Sequence, residues 1–465
     1  MLFSSISFLF WFLPLTLLLY FLPAPLFRSR ARALSYQNSV LLVASLVFYA
    51  WGEPLYLLLM LGVILFDLLL APRIAAGKRR RLWLSLAVFL HVSLLFYYKY
   101  AAFFAHVIGL SIQAPHLPLG ISFYTFQSLS YLADVYWRRV EPERSPLKLG
   151  VYIALFPQLV AGPIVRYRDV AAALTDRKHS INAAASGARR FIVGLCKKLL
   201  LADPMGELFV LLIARRPLSA VGALTALLAF SLQLYFDFSG YSDMAIGLGR
   251  IFGFRFPENF RYPYIAGSIT DFWRRWHITL SSFFKEYVYI PLGGNRRGVF
   301  RTVMNLSVVW VLTGLWHGAA WSFILWGVYY LLLLLGEKLL LPRLHVPTAI
   351  QRIGTPLLIL LGWMLFAFDG STPDLTLSAM GGFFLSLVGK NGFHTRADLY
   401  DLLRYLPLLS LCLVGATPLP YRIYRQTVCK KRRFWLSALV PLLGLFLSVA
   451  ALCSGGFHAF LYFRF

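Results

Sequence analysis

The chain has 465 residues, 59% of them hydrophobic and only 14% charged, where soluble domains run at roughly 45–50% apolar and about 25% charged. That composition excludes a disordered chain, and apolar runs recurring from end to end exclude a soluble enzyme on a single anchor. Lys and Arg number 45 against 19 Asp and Glu, a net charge of +26, yet the basic residues stand in short clusters between apolar runs, such as Arg28/Arg30/Arg32, 78–81, Arg215/Arg216, Arg296/Arg297 and 430–433. Loops of that kind face the cytoplasm and anionic membrane lipids, so no nucleic-acid partner is expected.

In chain order, residues 1–23 are apolar without a basic leader or a small-residue cleavage site, which reads as a retained first span. Clear spans follow the pattern 5–22, 38–51, 55–70, 82–98, 149–164, 218–235, 303–315, 321–335, 353–368, 403–415 and 434–452. They must be helical, because isolated strands cannot satisfy their backbone groups in lipid. Together with re-entrant segments they predict an all-α polytopic membrane protein of about 10–12 spans, a single domain over 1–465. Stretches 118–137, 156–167, 236–250 and 260–294 are apolar but interrupted by Gly, Pro, Ser, Asp, Arg and Trp. Such backbone is tolerated at membrane depth only inside protein or along a wet cavity, so residues 118–330 form the expected catalytic core. Residues 390–404 read as a loop feeding an amphipathic helix.

Three segments carry candidate chemistry. SITDFWRRWHITLSSFFKEY (268–287) predicts one helix, capped by Ser268 or Thr270 with Asp271 in its first turn, that places Trp273, His277 and Ser281 on one face beside Arg274. An interfacial helix whose Trp and Arg meet headgroups fits the same residues. In VWVLTGLWHGAAWSFILW (309–326), His317 sits in an apolar stretch between Trp316 and Gly318, with no acidic residue from Glu286 to Glu337. An ionisable group within a span marks a functional site by default, although a packing histidine fits as well. In YFDFSGYSDMAIG (235–247), Asp237, Ser239 and Asp243 interrupt a span. They suit a proton or cation relay, or a kinked helix whose polar groups satisfy one another. QLVAGPIVRY (158–167) and PLGISFYTFQ (118–127) lack a nucleophile–base pair and read as scaffold. His179, His345 and His394 read as solvent-facing. The four cysteines have neither CxxC nor zinc-type spacing, and no GxSxG elbow, phosphate loop or HExxH occurs. The remaining chemistry is proton transfer by His277 and His317 inside a membrane cavity.

SLVFYAWGEP (45–54), PLGISFYTFQSLSYLADVY (118–136), FPQLVAGPIVRY (156–167), GLCKKLLLAD (194–203), the run YFDFSGYSDMAIGLGRIFGFRFPENFRYPY (235–264), SITDFWRRWHITLSSFFKEYVYIPLGGNRRG (268–298), TGLWHGAAWSFILWG (313–327) and the terminal FLYFRF (460–465) resemble the membrane-bound O-acyltransferase family. Within it they are similar to the bacterial branch of alginate O-acetyltransferase membrane subunits and teichoic acid D-alanyl transfer proteins. The resemblance implies a many-helix bundle around a central tunnel, with His317 of the WHG motif as the catalytic residue and His277 at the family's second motif position. Trp273, Trp276 and Trp316 would wall the tunnel, Arg274 would attract donor phosphates at its mouth, and Asp237 and Ser239 would line the substrate path. Neither metal nor bound cofactor is implied. Acetyl-CoA would be the donor, an extracytoplasmic SGNH-type transferase or another polysaccharide-modifying subunit the partner, and a multi-pass position in the bacterial inner membrane the setting. Alternatives are D-alanyl transfer to teichoic acid, a lipid or glycan transporter using Asp237 and Asp243, and a structural scaffold for a polysaccharide synthase.

Overall fold

A computed structural model describes residues 1–215, 217–344, 346–430, 434–455 and 460–461; Arg216, His345, His458, the basic residues 431–433 and the last four residues of the terminal motif lie outside them. The described residues are helical with no strand. Nine helices among them are long and apolar enough to cross a membrane, or ten if the bent pair Arg396–Gly415 and Leu419–Thr427 counts as one span.

Two expectations change, for opposite reasons. The apolar run 149–164 does not span: it divides into Pro146–Ala154 and Phe156–Leu159, buried throughout, because Pro157 has no N–H for the helical ladder and the chain turns again before Gly162-Pro163. Conversely, 236–250 is not interrupted. It continues the 32-residue helix Ala220–Ile251, whose glycines mark close backbone approaches and not breaks. A Cβ on Gly240 would lie 2.8 Å from the Gly194 carbonyl, and one on Gly247 2.6 Å from that of Gly187.

The chain sorts into two compact units. The first comprises Met1–Ile192 and Tyr241–Glu258. Its spans are Phe8–Leu26, Arg30–Ala50, Tyr56–Ala76 and Arg80–Lys99, accompanied by the buried helix Ile121–Tyr136. Gly120, at φ 74°, starts that helix where a side chain would strike the Leu159 carbonyl. Phe3, Phe8, Phe48 and Phe156 form an aromatic core with ring centres 5.0–6.4 Å apart. Asp67 and His91, both buried, pair at 3.2 Å.

The second unit comprises Val193–Gly240 and Asn259–Phe465. Its centre is a hairpin of Gly298–His317 and Trp321–Leu339. The two helices close at Gly314 and Gly327, where a Cβ on either would meet the opposite backbone at Phe323 or Trp310. Small residues at such a crossing are the usual solution for helices in lipid. The segment 390–404 begins as a loop but enters the span Arg396–Gly415. On that helix the buried Asp398 accepts the Ser219 N–H at 3.0 Å and its hydroxyl, and Asp401 pairs with Arg215.

Candidate active site

The second unit gathers the two histidines singled out in the sequence, and it does so with a broken helix. Residues 268–287 are not one amphipathic helix: Ile269–Trp273 ends at Arg274, Ile278–Phe284 begins anew, and His277 between them adopts a left-handed backbone at φ 43°, ψ 54°. Trp273, His277 and Ser281 therefore do not share a helical face. For a residue with a Cβ this conformation costs roughly 1–2 kcal/mol and must be imposed by its surroundings. Asn259 imposes it. Its carbonyl accepts the Ile278 N–H at 3.0 Å, while its side-chain Oδ1 accepts the Thr279 N–H at 3.3 Å and the Thr279 hydroxyl at 2.9 Å. One turn earlier, Arg261 donates its N–H to the Arg275 carbonyl at 2.9 Å.

The same Oδ1 lies 3.1 Å from His277 Nδ1. A backbone N–H can only donate, so the Thr279 contact fixes this amide atom as oxygen and makes Nδ1 the protonated nitrogen of the His277 ring. Nε2 is then the unprotonated one. Burial drives the pKa of this residue, which lies between spans, down to about 3. The imidazole is neutral at physiological pH.

The start of the motif is anchored separately. Ser268 Oγ accepts the Asp271 N–H at 3.0 Å. The Glu337 carboxylate, reaching across from the Trp321–Leu339 helix, accepts the Ile269 and Thr270 N–H groups at 2.8 Å each, together with the Thr270 hydroxyl. A carboxylate on exposed helical N–H groups is favoured by both hydrogen bonding and the local dipole.

His317 is placed differently. It is the last residue of Gly298–His317, not the middle of a continuous span, and the chain breaks over 318–320 before turning back. Gly318 is needed there because a Cβ would run into the Phe323 ring. The His317 ring is 4% exposed and lies edge-on to Trp316, Trp326 and Phe366, with centroids 5.0, 5.0 and 5.1 Å away. His277, 1% exposed, meets Phe238 edge-on at 4.7 Å and Trp316 at 5.6 Å. Trp316 thus touches both histidines.

Trp273 and Trp276 extend this aromatic wall. Trp273 packs on Trp310, Tyr330 and Trp326 at 4.8, 4.8 and 5.5 Å. Trp276 packs on Trp363 at 4.7 Å and Phe260 at 5.1 Å. Arg274 is exposed, and Arg275 is tied to Asp271 at 2.9 Å. Asp237 is committed elsewhere: Lys198 lies 2.8 Å from it and 2.7 Å from Asp203, and the Leu461 N–H donates to it at 2.7 Å. Ser239 is buried. Of this stretch it is Phe238, between Asp237 and Ser239, that packs on His277. Asp243, in the first unit, is held by Arg190 at 2.8 Å. Two carboxylates locked in ion pairs are poor material for a proton relay.

Asn259, Glu337, Trp326, Trp363 and Phe366 complete the site without having been singled out in the sequence. Glu337 alone left a signal, as the first acidic residue after Glu286 in a long apolar run. The remaining four are polar or aromatic residues of types that recur throughout a chain with 17% aromatics. Among the described residues no cluster of His, Cys, Asp and Glu could hold a metal ion. What the arrangement can do is accept a proton on neutral imidazole within a buried aromatic enclosure.

Comparison with known proteins agrees. The sequence profile of the membrane-bound O-acyltransferase family matches residues 140–368, which contain both histidines. The chain is 42% identical over 384 residues to the probable alginate O-acetylase AlgI of Pseudomonas aeruginosa, covering 79% of this chain and 72% of that protein. It is 38% identical to the peptidoglycan O-acetyltransferase of Helicobacter pylori over 71% of this chain and 69% of that one. It is also 30% identical to the teichoic acid D-alanyltransferase of Bacillus subtilis, over 48% and 62%. With the helical membrane architecture, the paired histidines and this span of identity, the chain belongs to the membrane-bound O-acyltransferase family.

Proposed function

We propose that this acyltransferase takes acetyl groups from acetyl-CoA at the cytosolic face and delivers them for O-acetylation of a secreted or cell-surface polysaccharide of the alginate kind, working in the bacterial inner membrane with an extracytoplasmic SGNH-type transferase. The observation that carries the reading is the pair of buried histidines sharing Trp316, in a chain 42% identical to a probable alginate O-acetylase over 79% of this chain's length. The D-alanyl alternative draws on a relative that matches only 48% of the chain.

A thioester is already activated, so the protein has to deprotonate a hydroxyl and align it. His317 acts as the general base. As the hydroxyl oxygen bonds to the acyl carbon, its proton passes to the imidazole. The carbon–sulfur bond breaks, and the imidazolium returns that proton to the leaving thiolate. General-base catalysis of this kind contributes on the order of 10²–10⁴-fold. His277, in its Nδ1–H form, offers Nε2 as an acceptor, which suits orienting the hydroxyl and does not suit donation to an oxyanion. Trp273, Trp276 and Trp316 exclude water around the reacting atoms. Arg274, exposed, attracts the phosphates of the donor in this reading. It follows the helix that Glu337 caps, and Glu337 lies at the same end of the hairpin as Arg296, Arg297 and Arg301, the end that the positive-inside rule assigns to the cytoplasm.

The test is CoA release from labelled acetyl-CoA by purified protein in lipid, with and without the candidate partner, for wild type, His317→Ala and His277→Ala. Release that needs His317 supports the reading. Wild-type release by folded His317→Ala protein refutes the assignment, and proton-coupled uptake without CoA release would favour a transporter.

A further inference from the structure

The first unit contains a cation that its own fold does not satisfy. Arg177, in the loop after the Tyr167–Thr175 helix, is 5% exposed, and none of its three guanidinium nitrogens has a hydrogen-bond partner among the described residues. Its guanidinium lies over the Phe254 ring at 4.5 Å and near that of Tyr20 at 5.9 Å. Cation–π contact returns only part of what such a group loses on leaving water. The adjacent acid does not neutralise it, because Asp176 is paired with Arg30, whose guanidinium also donates to the Arg177 carbonyl at 3.3 Å. Tyr20 donates its hydroxyl to the Phe252 carbonyl at 3.1 Å, and its oxygen faces the guanidinium as one acceptor for a group with five N–H donors.

Two further features surround this cation. His179 is exposed, and with the Arg177 side chain it borders Gly253, at φ 83°, where a Cβ would sit 3.2 Å from the His179 ring and 3.3 Å from Arg177 Cδ. Phe21 packs edge-on against His179 at 5.4 Å, and its other neighbours Pro14, Leu17, Leu18, Leu22 and Pro25 form with it an apolar groove of about 580 Å³ along the first span. Arg28, Arg30, Arg32 and Lys178 are exposed around the same end of that span.

We infer that this is a binding site for an anionic phospholipid, whose phosphate is taken by Arg177 with His179 at the rim and whose acyl chain lies in the groove beside Phe21. Guanidinium donors match phosphate oxygens in pairs, basic clusters at a span end draw anionic lipid, and the groove faces the acyl-chain region because it is built on a spanning helix. The occupant supplies the acceptors that the protein withholds from Arg177.

The experiment uses the delipidated full chain in detergent, with phosphatidylglycerol, phosphatidylcholine and glycerol 3-phosphate as probes and retained lipid by native mass spectrometry plus melting temperature as readouts. Wild type should retain phosphatidylglycerol in preference to phosphatidylcholine and gain melting temperature from it, and Arg177→Gln should bind it about tenfold more weakly, the loss of one charge-assisted contact. Leu18→Glu, at a position 56% exposed, should weaken retention by charging the groove, and it carries the test if Arg177→Gln does not fold. Equal retention of the two lipids, unchanged phosphatidylglycerol binding in either folded variant, or an equal gain in melting temperature from glycerol 3-phosphate would each overturn the assignment, the last by making a soluble phosphate sufficient.

Discussion

His317 closes the final turn of a 20-residue span, held in register by the Gly314–Gly327 crossing and by the rings of Trp326 and Phe366. His277 stands between helices of five and seven residues, in a backbone conformation that disfavours side chains, held by the main chain and amide of Asn259. One histidine is positioned by regular packing, the other by a polar turn that tolerates strain to aim a ring. The difference separates two kinds of sensitivity. A packed helix end resists small changes and yields to volume errors, whereas a turn resting on a few hydrogen bonds loses its geometry when one acceptor is removed.

The largest effect expected is on chemistry. His317→Ala should reduce acyl transfer on the order of 10²–10⁴-fold at matched levels of protein that still elutes as a folded species, and retention of wild-type turnover would dissolve the distinction between the two histidines.

Next comes the buried network under the turn. Lys198→Met leaves Asp237 uncompensated beside Phe238, and removing one partner of a buried pair costs about 3–5 kcal/mol. A thermal melt in detergent measures it, and an unchanged midpoint would mean that the network does not brace the His277 side.

Asn259 sharpens the comparison most directly. Asn259→Ala strips an acceptor from three donors and should cost about 1–3 kcal/mol together with turnover. Asn259→Asp keeps the acceptor and adds a negative charge, which favours the imidazolium and so raises the His277 pKa from its value of about 3. The acid limb of the turnover profile, which protonation of the general base gives wild type as well, should then begin at higher pH in the Asp variant. Profiles that superimpose would show that Asn259 does not act through His277.

The neutral burial of His277 also carries a stability signature. Its folded pKa lies below the ordinary 6.5, so the unfolded chain binds the extra proton. Stability should fall as pH drops from about 6.5 toward 3, less steeply in His277→Gln. At the regular end, Gly327→Val should overpack the hairpin by about 1–3 kcal/mol, read as a lower melting temperature.

Long apolar runs, clustered cations and the scarcity of acids are enough to define a multi-pass helical membrane protein, since lipid leaves the backbone so few alternatives, and the motifs around His277 and His317 mark both residues on the chain. Sequence pattern misjudged 149–164 as a span and 236–250 as a break, because hydropathy does not distinguish a buried turn from a lipid-facing helix and glycine serves helix contact as readily as helix termination. Periodicity likewise made one helix of 268–287. The left-handed His277 is dictated by hydrogen bonds to Asn259, 18 residues away, and the capping of Ile269 comes from Glu337, 68 residues away. The ion pair of Asp237 is equally absent from local pattern, because Lys198 reaches it only in the fold. Local composition fixes which segments must leave water. The partner each buried polar group finds there depends on distant residues, and only the tertiary structure decides it.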